Sequence, residues 1–110
     1  MTTPAVALVA ADASTRKVLA DYLAASGFDV RACALADADA CAAIVLVGDD
    51  AAAVRGWLDA ATVRRVVVVT TRPQALKDLA AEHAERLVVL PAPAFGWDLV
   101  DALRVPSVVD

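Results

Sequence analysis

Four segments of small and polar residues follow the apolar runs of this sequence, and they hold the positions at which chemistry is expected. They are Ala10-Ala11-Asp12, Gly48-Asp49-Asp50, Thr70-Thr71-Arg72 and Pro91-Ala92-Pro93. Many α/β domains keep two acidic residues in the first of these places, where carboxylate oxygens hold a hard cation such as Mg²⁺. Here that pair is Ala10 and Ala11. The sequence therefore predicts the strand and helix that would position an acidic pair, but not the two carboxylates themselves.

Short runs of valine, leucine and isoleucine predict the strands that position these segments. Runs without alternating polar residues are typical of strands covered on both faces, as in a parallel sheet. The predicted strands are Val6–Val9, an edge strand at residues 28–33, Ile44–Val47, Val66–Val69 and Leu87–Leu90. Ligands bind at the carboxyl ends of the strands in such sheets, so the four segments are expected to share one edge.

Apolar residues at helical spacing lie between the strands. The stripes are Val18, Leu19, Tyr22 and Leu23; Val54, Trp57 and Leu58; Leu76, Leu79 and His83; and Leu99, Val100 and Leu103. Asp12 and Ser14 are candidate N-caps of the first helix, and Gly27 is its stop signal. Residues 35–42 predict a further short helix. The strand and helix alternation predicts one α/β domain over residues 1–110, a doubly wound five-stranded parallel sheet with helices on both faces.

Composition and charge exclude several kinds of protein. Hydrophobic residues make up 60% of the 110 residues and the mean hydropathy is +0.62, but no apolar run approaches the ~20 residues of a membrane span. The start, MTTPAVAL, lacks the basic segment of a secretory signal, so a cytoplasmic protein is expected. The net charge of −4 argues against nucleic acid as a partner, because such binding depends on clustered lysine and arginine. The adjacent Arg64 and Arg65 are interpreted as a turn.

The other reactive residues form no catalytic or cofactor pattern. Cys33 and Cys41 do not have the spacing of a zinc site with His83, and they are interpreted as reduced structural thiols. His83 lies on a predicted helical stripe and is expected to be half-buried at a helix end. The sequence contains neither a dinucleotide-binding glycine motif nor a phosphate-binding loop, so we expect no cofactor, no metal and no enzymatic activity.

The chain resembles the receiver domain of bacterial response regulators over nearly its whole length. The matching pieces are VALVAADASTRKVLADYLAASGF, AAIVLVGDD, VVVVTT and LVVLPAPAFGWDLVDAL. The resemblance implies a flavodoxin-like, CheY-like fold. It also implies a phosphorylation site, in which an acidic pair follows strand one and a phosphate-accepting Asp ends strand three. A Thr or Ser ends strand four of that site, and a Lys-Pro follows strand five.

The resemblance fails where the chemistry would take place. Ala10 and Ala11 stand at the acidic pair, Gly48 at the phosphoacceptor and Ala92 at the lysine, while Thr70 and Pro93 match. Because Mg²⁺ needs carboxylate oxygens, a degenerate phosphorylation pocket is expected. One alternative is a response-regulator receiver with Asp49 or Asp50 as a displaced acceptor, although both acids also suit the cap of the next helix. A second alternative is a small enzyme or ligand-binding domain that uses the pocket at Thr70.

The end of the chain is similar to the degenerate receiver of TadZ/CpaE-type pilus-assembly proteins and actinobacterial septum-site-determining proteins. The similarity rests on ERLVVLPAPAFGWDLVDAL and on the short stretch between Gly48 and Thr70. In those proteins a MinD/ParA-like ATPase domain follows the receiver. The resemblance implies a phosphorylation-independent module for protein interaction, localisation or dimerisation, with the full-length protein continuing into an ATPase.

Trp97 is the residue that most strongly suggests a partner. On a helical wheel it lies at the rim of the last helix, away from the buried stripe, and Trp is enriched at interface hot spots. The candidate interaction residues are Phe95, Trp97 and Asp98. We expect a protein partner or a second copy to bind the face formed by the fourth helix, the fifth strand and the fifth helix, and we expect no membrane contact. The alternative is that Trp97 folds over the chain end near residues 105–106.

Overall fold

The computed structural model describes residues 5–33, 37–38, 41–60, 63–84, 86–92 and 96–104. Its elements are β1 (Ala5–Ala10), α1 (Ala13–Ala25), β2 (Asp29–Ala32), β3 (Ala43–Val47), α2 (Ala51–Asp59), β4 (Arg65–Thr70), a 3₁₀ turn (Pro73–Leu76) that leads into α3 (Lys77–Glu82), β5 (Leu87–Pro91) and α4 (Gly96–Arg104). The fourth and fifth helices expected from the sequence are therefore α3 and α4.

The five strands form one parallel sheet in the order β2-β1-β3-β4-β5. This order is that of the flavodoxin-like doubly wound sheet, in which the chain reverses direction beside the first strand. The predicted α/β architecture is confirmed. Four of the strands were expected from their apolar runs, because parallel strands covered on both faces can be apolar throughout, and β2 was expected as an edge strand.

Each face of the sheet carries its own hydrophobic core. Under α1 and α4, the strand residues Leu8, Val45 and Val67 pack with Leu23 and Leu99. Under α2 and α3, the alternate strand residues pack with the helix side chains Trp57, Leu76 and Leu79. Trp57 is 5% exposed, as predicted from its position in the apolar stripe of its helix. Because successive side chains of a strand point to opposite faces, one apolar run supplies both cores.

The helix α1 begins and ends where the sequence predicts. The carboxylate of Asp12 accepts the backbone N–H of Thr15, so Asp12 is the N-cap. Ser14 lies inside the helix and does not serve as its cap, because the chain is already helical from Ala13. At the other end Gly27 has φ +101°, a conformation that L side chains rarely adopt.

The apolar stripe of α1 is narrower than predicted. Leu19 and Leu23 are buried, but Val18 is 66% exposed and Tyr22 is 40% exposed. Val18 and Tyr22 precede the buried pair by one residue, about 100° around the helix, so they lie at the edge of the contact with the sheet. The expectation that all four residues belong to the core was wrong for these two.

Arg65 is not in a turn. It is the first residue of β4 and is 8% exposed. Its guanidinium Nη1 donates to the carbonyl oxygen of Ala102, 3.0 Å away, near the carboxyl end of α4. A cation there is favoured by the helix dipole and satisfies a carbonyl that the helix leaves unpaired. Arg65 therefore fastens α4 to the sheet.

The short helix predicted at residues 35–42 falls largely on residues that the structure does not describe. Residues 34–36 and 39–40 lie outside the described residues; Asp37 and Ala38 form part of a 3₁₀ turn, and Ala38 is fully buried. Cys41 is buried and Cys33 half-buried, both as free thiols. Burial, with Cys41 as a close neighbour, raises the pKa of the Cys33 thiol. An alanine-rich segment can pack close to the sheet without a helical stripe.

The end of α3 agrees with the sequence. His83 follows α3 as its C-cap and is half-buried, as predicted. Within the described ranges, every helix is too short or too polar to cross a bilayer.

Candidate functional site

Strand register brings the predicted site positions to one edge of the sheet. Ala10 is paired with Val47, and Val47 with Val69, so Ala11, Gly48 and Thr70 follow at the same level. Thr70 is paired with Pro91, the residue before Ala92. Backbone hydrogen bonds continue this alignment past the strands, from Gly48 N–H to the Val69 oxygen at 2.9 Å and from Ala92 N–H to the Thr70 oxygen at 2.8 Å.

The residues at this edge do not fit Mg²⁺. Ala10 is buried and Ala11 exposed, and neither has a side-chain oxygen; nor has Gly48. Asp12 is engaged by α1: its carboxylate accepts both the N–H and the hydroxyl of Thr15, at 2.9 and 2.6 Å. These hydrogen bonds, that of the hydroxyl first, hold the pKa of Asp12 below its ordinary value. In the ranges that the structure describes, no three His, Cys, Asp or Glu side chains are grouped to hold a metal ion.

Gly48 stands where a receiver has its phosphoacceptor, and its backbone requires glycine. Its φ is +156°, a conformation that L side chains rarely adopt. There is space for a side chain, since a Cβ on Gly48 would lie 4.0 Å from its nearest neighbour, Leu46 Cδ1. Conformation rather than crowding therefore disfavours an acidic side chain at this position.

The structure joins Asp49 to Thr70, a contact that the sequence analysis did not predict. The Thr70 hydroxyl donates to the Asp49 carboxylate, and the Thr71 hydroxyl donates to the same group at 3.3 Å. The Thr70 oxygen in turn accepts the backbone N–H of Arg72 at 3.0 Å. The signal was present in the sequence: Asp49 follows β3 by two residues and Thr70 ends β4, and β3 and β4 are neighbours.

This contact stabilises the ionised form of the Asp49 carboxyl. The hydrogen bond from Thr70, helped by those from Thr71 and by the charge of Arg72, holds the pKa of the exposed Asp49 carboxyl below its ordinary value. Asp50 has a different role, because its carboxylate accepts the N–H of Ala53 at 3.0 Å and caps α2. The expectation that the acidic pair caps the next helix is thus confirmed for Asp50 and wrong for Asp49.

A groove opens beside this edge, on the side of the sheet covered by α1 and α4. It has a volume of about 470 Å³, and we call it the strand-end groove. It is lined by Ser14, Thr15, Val18, Leu19, Val47, Val69 and Ala92. Ala92 stands where the resemblance places a lysine. The lining is apolar except for the hydroxyls of Ser14 and Thr15, so the groove suits an apolar group with one hydrogen-bond donor.

Among the described residues, three large apolar side chains of α1 and α4 are exposed, and we call them the α1–α4 patch. They are Val18, Tyr22 and Trp97, and Trp97 is 54% exposed. Gly96, the first residue of α4, lies against Tyr22: a Cβ added there would lie 2.6 Å from Cγ and Cδ1 of the Tyr22 ring, so only glycine permits this approach of α4 to α1. Asp98 is half-buried, and the predicted Pro93 and Phe95 lie outside the described residues.

Comparison with known proteins establishes the fold. No protein-family model matches the sequence, and neither does any curated protein. The structure is similar to the crystal structure of a CheY-like response-regulator protein from Mesorhizobium loti, with a TM-score of 0.66 and 20% sequence identity, over 93% of this chain and 97% of the other. The predicted CheY-like receiver fold is thereby confirmed.

Proposed function

We propose that this chain is a protein-interaction module of receiver fold that acts without phosphorylation. In this proposal it serves as the localisation or dimerisation domain of a pilus-assembly or septum-site ATPase. The observation that carries the proposal is the strand-end site: Ala10, Ala11 and Gly48 stand at the three positions where a receiver needs carboxylates. No enzymatic activity is proposed.

The hydrogen bond of the Thr70 hydroxyl also supports a module that acts without phosphorylation. In a receiver the Thr at the end of strand four would be available to an incoming phosphoryl group. Here the Thr70 hydroxyl proton is donated to Asp49. A threonine has one hydroxyl proton, so this donor is already used within the protein.

The loss of a phosphoryl switch has a consequence for regulation. A ligand shifts a conformational equilibrium only by its differential affinity for the two states. A receiver fold without the phosphoryl group and its metal has lost that differential interaction. It then acts as a constitutive surface, and the exposed α1–α4 patch, with Trp97, is the surface best suited to a partner. The ATPase context rests on the resemblance of the last strand and helix described above.

Localisation in the native host tests the proposal. Residues 1–110 fused to a fluorescent protein are expected to form foci without any phosphodonor. Foci are expected to persist in the double variant Asp49→Asn, Asp50→Asn and to be lost in Trp97→Ala. Arg55→Ala, an exposed change on α2 at the opposite side of the sheet, is the matched control. A diffuse signal where the full-length protein is focal would contradict the localisation role.

A second candidate function is supported by the position of Asp49. Its carboxylate lies beside Thr70 at the correct edge of the sheet, two residues beyond β3, so it is the displaced acceptor to test. Acetyl phosphate and Mg²⁺ would then add one phosphoryl group to the wild-type chain and to Asp50→Asn but not to Asp49→Asn, as measured by intact-mass spectrometry. Our proposal expects no mass gain in any of the three proteins.

A further inference from the structure

The connection between β2 and β3 brings together the two cysteines of the chain. Cys33 follows β2 directly, and its backbone N–H donates to the carbonyl oxygen of Leu8 at 3.1 Å, so β1 fixes its position. Cys41 lies two residues before β3, and its N–H donates to the Ala38 oxygen at 3.2 Å. Cys41 is a buried member of the core under α2 and α3, and Cys33 packs against that core. The fold therefore places two free thiols in one apolar cluster.

The two side chains are close enough to react with each other. Cys41 acts on the Cys33 thiol both through charge and as a hydrogen-bond partner. We propose that Cys33 and Cys41 form a peroxide-responsive dithiol that closes to a disulfide within one chain. The inference does not depend on the function proposed above, and it assigns a modification site to the β2–β3 connection.

Exposure sets the order in which the two cysteines react. Cys33 is half-buried, so a small oxidant can reach its sulfur, whereas Cys41 is 4% exposed. The cysteine that meets the oxidant has to be accessible, and the cysteine that resolves the product has to lie beside it. Cys33 is therefore oxidised first, and Cys41 is the resolving cysteine.

The oxidant is hydrogen peroxide, and the reaction takes two steps. First the Cys33 thiolate attacks a peroxide oxygen and the O–O bond breaks; hydroxide leaves, takes up the thiol proton as water, and Cys33 becomes a sulfenic acid. Then the Cys41 sulfur attacks the Cys33 sulfur, an S–S bond replaces the S–O bond, and a second water leaves with the Cys41 proton. A dithiol reductant reverses the reaction by exchange. The disulfide fastens the short edge strand β2 to the segment that precedes β3.

The surroundings of Cys33 make the first step depend on pH. Burial raises the pKa of the Cys33 thiol, and so do the charges of Cys41 and Asp37, while Arg31 acts in the opposite direction. Because only the thiolate attacks peroxide, oxidation is slow at neutral pH and accelerates about tenfold per pH unit below that pKa. The site therefore responds to sustained rather than brief exposure to peroxide.

Hydrogen peroxide added to the full chain, followed by alkylation and mass spectrometry, tests the dithiol. Both cysteines lie in one tryptic peptide, residues 32–55, so an internal disulfide gives that peptide without two hydrogens and without alkyl groups. We expect this product to form about tenfold faster at pH 8 than at pH 7, and the chain to stay monomeric on a non-reducing gel. Peroxide that leaves both thiols free, oxidises Cys33 beyond the sulfenic acid or links separate chains would overturn the inference.

Two variants and one rate comparison separate the roles of the cysteines. In Cys41→Ala the sulfenic acid of Cys33 is expected to accumulate and to be trapped by dimedone, whereas Cys33→Ala is expected to stay unmodified. If Cys41→Ala does not fold, alkylation of the wild-type chain decides: we expect Cys33 to react at least tenfold faster than Cys41 in the native chain, and at a similar rate in concentrated urea. Trapping at Cys41 in place of Cys33, or equal rates in the native chain, would contradict the proposed order.

Discussion

The strand-end site and the α1–α4 patch have opposite properties. At the strand ends Ala10, Ala11 and Gly48 carry no polar side chain, and the carboxylate of Asp49 is hydrogen-bonded to Thr70. At the patch the side chains are large, apolar and exposed. The function proposed above rests on this contrast between an edge with few polar side chains and an exposed apolar surface.

The largest expected difference is between the two tryptophans. Trp57 is 5% exposed in the core, so Trp57→Ala should lower the free energy of unfolding by about 3–5 kcal/mol. Trp97 is 54% exposed, so Trp97→Ala should change it by about 1 kcal/mol or less while association is lost. Urea unfolding of both variants measures the difference. A large loss of stability in Trp97→Ala would show that Trp97 belongs to the core, and it would contradict the contrast between the two tryptophans.

Restoring acids at the strand ends is expected to have the next largest effect. Ala10 is 7% exposed, and Ala10→Asp would bury a carboxyl, at a cost of about 2–4 kcal/mol. Ala11 is exposed, so Ala11→Asp should cost about 0.5 kcal/mol or less. Chemical denaturation compares these neighbouring variants. Equal, small effects would mean that the edge still accommodates an acidic pair.

Backbone conformation at the vacant acceptor position gives a smaller effect. Because Gly48 has φ +156°, Gly48→Ala should destabilise the chain by about 1–2 kcal/mol. Gly56 lies inside α2 with nothing within 4 Å of an added Cβ, so Gly56→Ala should stabilise by about 0.5–1 kcal/mol. Thermal unfolding of the two variants measures whether each substitution lowers or raises the stability of the chain. A neutral Gly48→Ala would leave the position open to an acidic side chain.

The acid titration of Asp49 is the smallest effect. Its pKa is lowered in the folded state, so its contribution to stability is present above the unfolded-state value near pH 4 and is lost as pH falls through the folded-state pKa. Thr70→Val should raise the pKa of Asp49 towards its ordinary value, and Thr71→Val should raise it less. Carboxyl carbon chemical shifts followed by NMR measure both changes. An unchanged pKa in Thr70→Val would show that this contact is absent in solution.

The fold was predictable because its signals are local. Val66–Val69 and the other apolar runs lie in strands of a sheet covered on both faces, and Asp12 and Gly27 mark the ends of α1 as their chemistry requires. The position at which a receiver has its phosphoacceptor could also be assigned to Gly48, by counting residues along the third predicted strand. Such features depend on residues close together in the sequence.

The rest depended on contacts between distant residues. The bond between Asp49 and Thr70 joins residues 21 positions apart, and Arg65 reaches Ala102 across 37 positions. Helical spacing alone placed Val18 in the core, although the orientation of α1 leaves it at the edge of the sheet contact. The groove was not predicted because it forms where α1 and three strand ends meet.

The most direct test of the central claim is a comparison of amide NMR spectra of the chain with and without acetyl phosphate and Mg²⁺. If the proposed function is correct, we expect superimposable spectra, including the signals of Gly48, Thr70 and Trp97, because no phosphoryl group would be added at the strand ends. Shifts that spread from the strand ends to Val18, Tyr22 and Trp97, together with a mass gain of one phosphoryl group, would contradict it and make the chain a phosphorylation-controlled receiver.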